Sequence, residues 1–449
     1  MKIKNKTLKS IEEVYIGLFI IFFILTLSSI GIIAYISNRV NMPIIRLWKE
    51  IYILGMFFMS IIIIIKNKKK SLGTLIAIVL GVYSIWIIYS FFNSNIRQVL
   101  YQIKLDGFNI LFFINVTVLL SLRKKDIVDR IIKIILVFAI INAIIIILQG
   151  LFPRFFVCNI LGLEWGAWSR DYGITVVVAG DTLRSFGLMN TYVAASELLI
   201  IATILLFEGK NILRLSTKAK CLLASVFFIG IYFTTYKTAY AWLIIYGFVK
   251  ILRLFIQKYK KKLPIRSRKI DVSEYPLLII GIGAMLIQYV VTNTLLIYKL
   301  IEKIFPKFAY GSIYARVDLH NVIFNQLDNI TKKIFGVGMG VNGLFALKDV
   351  GEVHTQAIAL DSTYIYTLSN YGFLGVIIYL VLLGGTLIIS VTNKECDLWG
   401  VRYICAYLLC AEFFFNNLST SIPVSYIVIF LILVFCFELK EKKLRSNRS

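Results

Sequence analysis

The sequence predicts an all-α polytopic membrane protein, and three observations carry that prediction. The chain of 449 residues is 59% hydrophobic with a mean hydropathy of +0.82, more apolar side chain than a water-soluble core can bury. Its apolar runs are long and continuous rather than alternating, which excludes a closed barrel. Backbone in lipid must bond within its own segment, so the runs are helices. The connectors between them are short and rich in Lys and Arg, as membrane topology demands.

A crossing needs about 20 apolar residues. On that ruler twelve spans fall near 14–37, 48–65, 73–92, 108–122, 131–151, 186–207, 221–236, 238–256, 276–294, 364–392, 400–418 and 423–438. The first run is too long for a signal peptide and lacks a small-residue cleavage site, so it is expected to stay as a span. An even count with the N-terminus inside places the N-terminal MKIKNKTLK, the connectors 66–70, 123–133, 208–220, 258–269 and 393–402, and the C-terminal tail in the cytoplasm. Nearly all are basic, as the positive-inside rule requires. The whole of 1–449 thus reads as one integral membrane domain, with a basic cytoplasmic linker over 257–275. Two outer segments remain: a first loop at 152–185 and a large loop at 295–362 with short helices, between spans nine and ten.

The net charge of +25 is accounted for by these connectors, so nucleic acid is not expected as a partner. The six cysteines (158, 221, 396, 405, 410 and 436) show no metal or disulfide spacing and read as small buried hydrophobes. No metal or cofactor is expected. No internal repeat supports an inverted-repeat transporter.

The stretch from Arg316 to Gly375 concentrates polar, ionisable and glycine residues beside a bilayer, and any acceptor-side chemistry is expected there. Within it, His320, Ile323, Leu327, Ile330 and Ile334 recur at helical steps of three and four, with Asp318, Asn321, Asn325, Asp328 and Lys332 opposite. Arg316 lies four before His320 and projects from the apolar side. An inward Arg needs an anionic partner, either a distant carboxylate or a bound phosphate. The run Gly336-Val-Gly338-Met-Gly340 lacks the strand and βαβ unit of a dinucleotide site. It reads as a turn that lets backbone approach backbone or a substrate. His354 is either a solvated loop residue or a base. Asp361, at the mouth of span ten, either caps the helix or acts as a carboxylate base. Arg184, just before span six, either anchors the helix end or serves the outer face. Lys237, in the turn between spans seven and eight, either snorkels or holds an anion. Toward their middles the spans read as nearly free of charge, apart from Glu197 and Glu412.

In order, Arg184-Ser-Phe-Gly187-Leu-Met-Asn190, Thr235-Tyr-Lys237, Arg316 before a loop helix ending in Gly336-Val-Gly338, and Asp361-Ser-Thr-Tyr364 running to Tyr371-Gly372-Phe-Leu-Gly375 resemble the O-antigen polymerase and ligase superfamily (Wzy-like), which includes capsular polysaccharide polymerases. The resemblance covers roughly 180–380. It implies a GT-C-like fold and a metal-independent glycosyltransferase of the cytoplasmic membrane. Its donor would be an undecaprenyl-diphosphate-linked glycan at the outer leaflet. Pathway partners would be a flippase and a chain-length regulator, with membrane lipid around the protein. By the same resemblance Arg184 and Arg316 would bind the diphosphate and Lys237 would add a third charge, a role that suits guanidinium and phosphate geometry.

The chain departs from the pattern twice. Where the family often has Ser-Arg at the turn, this sequence has Tyr236-Lys237, which keeps the charge but not the fork. Where ligases of the family carry a His, it has Asp361, so the base is Asp361, His354 or neither. The missing His favours repeat-unit polymerase over ligase. A lipid-linked oligosaccharide flippase is the alternative from another functional class.

Overall fold

The computed structural model describes residues 2–122, 125–166, 174–179, 181–260, 272–283, 321–342, 362–411 and 422–446. The architecture is all-α. The helices are α1 (Lys2–Arg39), α2 (Trp48–Lys66), α3 (Lys70–Asn93), α4 (Ile96–Gln102), α5 (Phe108–Ser121), α6 (Lys125–Leu151), α7 (Tyr192–Glu208), α8 (Thr217–Thr234), α9 (Lys237–Lys260), α10 (Ile330–Phe335), α11 (Thr363–Thr392), α12 (Val401–Ala411) and α13 (Ile422–Ser446). The sheet content among the described residues is one two-residue hairpin in the first loop, β1 (Val178–Ala179) against β2 (Thr182–Leu183).

Nine helices among the described residues are long and apolar enough to cross a membrane, and each matches one of the twelve predicted spans. The other three predictions fall on α7, which has 17 residues, and on 275–283 and α12, beyond which the chain lies outside the described residues. The α7 helix is buried on every side from Ala194 to Leu206, as a helix apolar all round should be at the centre of a bundle. By contrast α3 leaves Ile78, Val82, Ile85 and Ile88 exposed, which suits a peripheral helix facing lipid.

Three expectations need correction. The span predicted at 108–122 is longer: Ile96–Ser121 runs as one helical rod through a π-helical stretch at Ile103–Gly107. Apolar content alone missed it, because Lys104 and Asp106 interrupt the hydropathy. The loop helix carrying the three-four pattern is not continuous. Residues 321–326 are helical, 327–329 are not, and Asn329 caps a new helix by accepting the Lys332 N–H at 2.9 Å. The break resets the phase, so Ile323 and Leu327 are buried while Ile330 and Ile334 are 75% and 42% exposed. Finally, Cys158, Cys221 and Cys436 are exposed rather than buried.

Side-chain contacts tie the basic connectors together at one end of the bundle. Asn67 donates to Glu12, Lys69 to the Ser121 carbonyl, and Lys210 to Asp129. Lys210 N–H bonds the Leu398 carbonyl, and Lys442 pairs with Glu395. At the centre of this end, buried Arg402 meets Asp397 at 2.9 Å, Glu274 at 3.4 Å and Glu208 at 3.7 Å, and Arg253 meets Glu274 at 2.9 Å. Because α7 ends at Glu208 and α9 carries Lys250 and Arg253 near its end, Tyr192 and Lys237 stand at the far end.

Candidate functional site

Two polar clusters occupy that far end. The first is built on Arg184, and its rigidity comes from α6. Gln149 accepts the N–H groups of Phe186 and Gly187, at 3.0 and 2.8 Å, and donates to the Gly187 carbonyl at 3.1 Å. Asn142, two turns earlier on the same face, accepts the Leu188 N–H at 2.7 Å. Gly187 sits at φ +63° against the Asn142 side chain, where a Cβ has no room. On the other side Gly31 N–H bonds the Leu188 carbonyl at 3.2 Å. The helix therefore starts later than predicted, at Tyr192, with Thr191 as its cap, and Gly187 and Asn190 belong to the turn before it.

This pedestal holds a half-buried Arg184. Its guanidinium donates to the Tyr192 hydroxyl at 3.0 Å and stacks 5.0 Å over that ring. Among the described residues it meets no carboxylate. A guanidinium withdrawn from water without a counter-ion is costly, so the position invites an anion. The turn between α8 and α9 comes up beside it. Ser185 N–H bonds the Phe233 carbonyl at 3.1 Å, Ser196 donates to Thr234 at 2.6 Å, and the Tyr192 and Tyr236 rings lie 6.3 Å apart. Thr235 takes the left-handed conformation at φ +53°, which ends α8 and lets α9 begin at Lys237, whose side chain is exposed. A cation at a helix N-terminus adds to the positive end of the helix dipole, and together they favour a negatively charged group. The structure thus brings the segments of Arg184 and Lys237 side by side. Arg316, His354 and Asp361 lie outside the described residues, as do His320 and Glu412.

The second cluster was not read from the sequence. Asp106, on the π-helical stretch, is half-buried. Its Oδ2 accepts hydrogen bonds from the Tyr366 hydroxyl at 3.0 Å, the Tyr371 hydroxyl at 2.5 Å and the Gln102 amide. The Tyr83 hydroxyl is buried beside Tyr371 without a well-formed hydrogen bond. Counting about 1.5 Å per residue from Ser121 at the basic end, Asp106 stands roughly 22 Å away, inside the apolar rod Ile96–Ser121. An ionisable group at such a depth marks a functional site by default, and π-bulges concentrate at such sites.

Tyr366 and Tyr371 both belong to α11, on the stretch that opens with Asp361. Ser362 is the N-cap of that helix and accepts the Ile365 N–H at 3.4 Å. Within α11 the backbone breaks at Gly372, with φ 67° and ψ −169°. The Gly336–Gly340 turn seats in that break. Val337 N–H bonds the Ser369 carbonyl at 2.7 Å, Gly340 N–H bonds Asn370 at 2.7 Å, and Met339 N–H bonds Ser90 at 2.9 Å. A Cβ on Gly336 would lie 2.6 Å from the Ser369 carbonyl oxygen. The predicted close approach of backbone to backbone is therefore present, and it joins the loop to the helix that presents the tyrosines to Asp106.

No known protein family matches the chain, and no curated protein is significantly similar to it. Gln149, Asn142 and Asp106 carry the site geometry without having been singled out from sequence. The available signal was polarity at helical spacing inside otherwise apolar spans, which membrane helices seldom carry without use.

Proposed function

We propose that the protein is a polysaccharide polymerase of the cytoplasmic membrane. It joins undecaprenyl-diphosphate-linked oligosaccharide repeat units at the outer face. The basic end is then cytoplasmic, with both termini inside, and twelve spans form a GT-C-like body. An acceptor hydroxyl attacks the donor's anomeric carbon, and undecaprenyl diphosphate leaves. The observation that carries the reading is Arg184: a half-buried guanidinium on a pinned turn, without a carboxylate among the described residues, next to the Lys237 helix start. Guanidinium forks phosphate oxygens, and a preorganised cation stabilises charge growing on the leaving group. Arg316 is the third cation of this proposal, and His354 and Asp361 are its loop-borne candidates for the base.

A flippase reading draws on the ionisable groups inside the spans, Glu197 and Asp106 among them, because transporters place such groups there. One experiment separates the two. Purified protein in liposomes, supplied with undecaprenyl-diphosphate-linked repeat units, lengthens the glycan without an energy source. Chains that stay at one repeat while the lipid crosses leaflets overturn the polymerase reading.

A further inference from the structure

We infer that Asp106, rather than His354 or Asp361, is the group that takes the proton from the attacking acceptor hydroxyl, an inference that rests on the polymerase reading. Three features carry it. The first is orientation. All three donors, Tyr366, Tyr371 and Gln102, converge on Oδ2. Oδ1 accepts no hydrogen bond from the described residues. One oxygen is anchored and the other is presented, which is how a carboxylate is held to meet a hydroxyl. The second is support. Tyr371 is fixed in turn by Trp86, whose indole N–H donates to its carbonyl at 3.1 Å and whose ring meets it edge-on at 5.8 Å. The site is built on helices rather than on a free loop. The third is place. Asp106 contacts α11 directly downstream of the outer loop, where an acceptor glycan arriving from outside meets the membrane.

In the step, the acceptor oxygen forms a bond to the anomeric carbon as the bond to the diphosphate oxygen breaks. The hydroxyl proton passes to Asp106 Oδ1. The electron pair leaves on undecaprenyl diphosphate. The tyrosine hydroxyls and Gln102 stay on Oδ2 and keep the carboxylate aimed.

The test is Asp106→Asn in the liposome assay, with retention of labelled donor measured alongside. The asparagine carbonyl still accepts from Tyr366, Tyr371 and Gln102, so the fold is kept, while an amide NH2 replaces the proton acceptor. Elongation is expected to fall by about 100-fold or more, the range for losing a general base, with donor retention unchanged. Asp106→Ala, which empties the position, is expected to regain elongation with added formate. Elongation by Asp106→Asn within about threefold of the parent, or no formate rescue of Asp106→Ala, overturns the assignment and leaves the polymerase reading standing. If the parent protein itself does not elongate, both fall together.

Discussion

Substituting Gly372 by Ala tests how the Gly336–Gly340 turn is seated on α11. At φ 67° and ψ −169° the position lies in a backbone region that only glycine occupies freely, and another residue there costs about 1–3 kcal/mol. The added Cβ would also be driven against the Ile334 carbonyl and would lie 2.5 Å from the Gly336 nitrogen. These are backbone atoms that cannot rotate away, and such overpacking costs about 1–3 kcal/mol more. The two terms together, about 2–6 kcal/mol, reach at most the lower end of a domain's total stability of roughly 5–15 kcal/mol. The strain is relieved by unseating the turn, which breaks the Val337 to Ser369 bond and shifts Tyr371 off Asp106. Gly384 supplies the control. It lies in the same helix and nothing stands within 4 Å of its added Cβ, so Gly384→Ala should be neutral or slightly stabilising through helix propensity. Thermal unfolding in detergent and hydrogen exchange over 336–341 report both effects. Equal melting temperatures and equal exchange in the two variants would refute the packing argument.

Arg184→Ala is expected to abolish polymer while the protein still reaches the membrane, and Arg184→Lys to restore part of it, since charge returns without the fork; polymer length on a gel decides. Gln149→Leu leaves the Phe186 and Gly187 N–H groups buried and unbonded, at about 1–3 kcal/mol each. It should lower the melting temperature and loosen exchange at 185–189, and unchanged protection there would contradict the pedestal. At the basic end, Arg402→Met removes the shared partner of Asp397, Glu274 and Glu208. Breaking such a buried pair costs about 3–5 kcal/mol, so folded yield should drop sharply, and yield equal to the parent would show that the network is dispensable.

The all-α membrane class, the places of nine of the predicted spans and the Thr235–Lys237 turn followed from the sequence alone. Their causes are local: a crossing must be long, apolar and backbone-satisfied, and most Lys and Arg fall in the connectors between crossings. Arg184 was legible as a cation at a span mouth. The glycine run was legible as a close-approach turn, because glycine in such a cluster serves sterics rather than side-chain chemistry. The loop helix was over-read, because a three-four pattern does not announce a break where Asn329 caps a new turn.

What only the tertiary structure decided is which distant polar groups meet. Gln149 and Phe186 are 37 residues apart in the chain, and Asp106 and Tyr371 are 265 apart. A lone Asp or Gln inside an apolar run looks the same in sequence whether it faces lipid, a neighbouring helix or a pocket. Its meaning comes from desolvation and partners, and helix packing sets both.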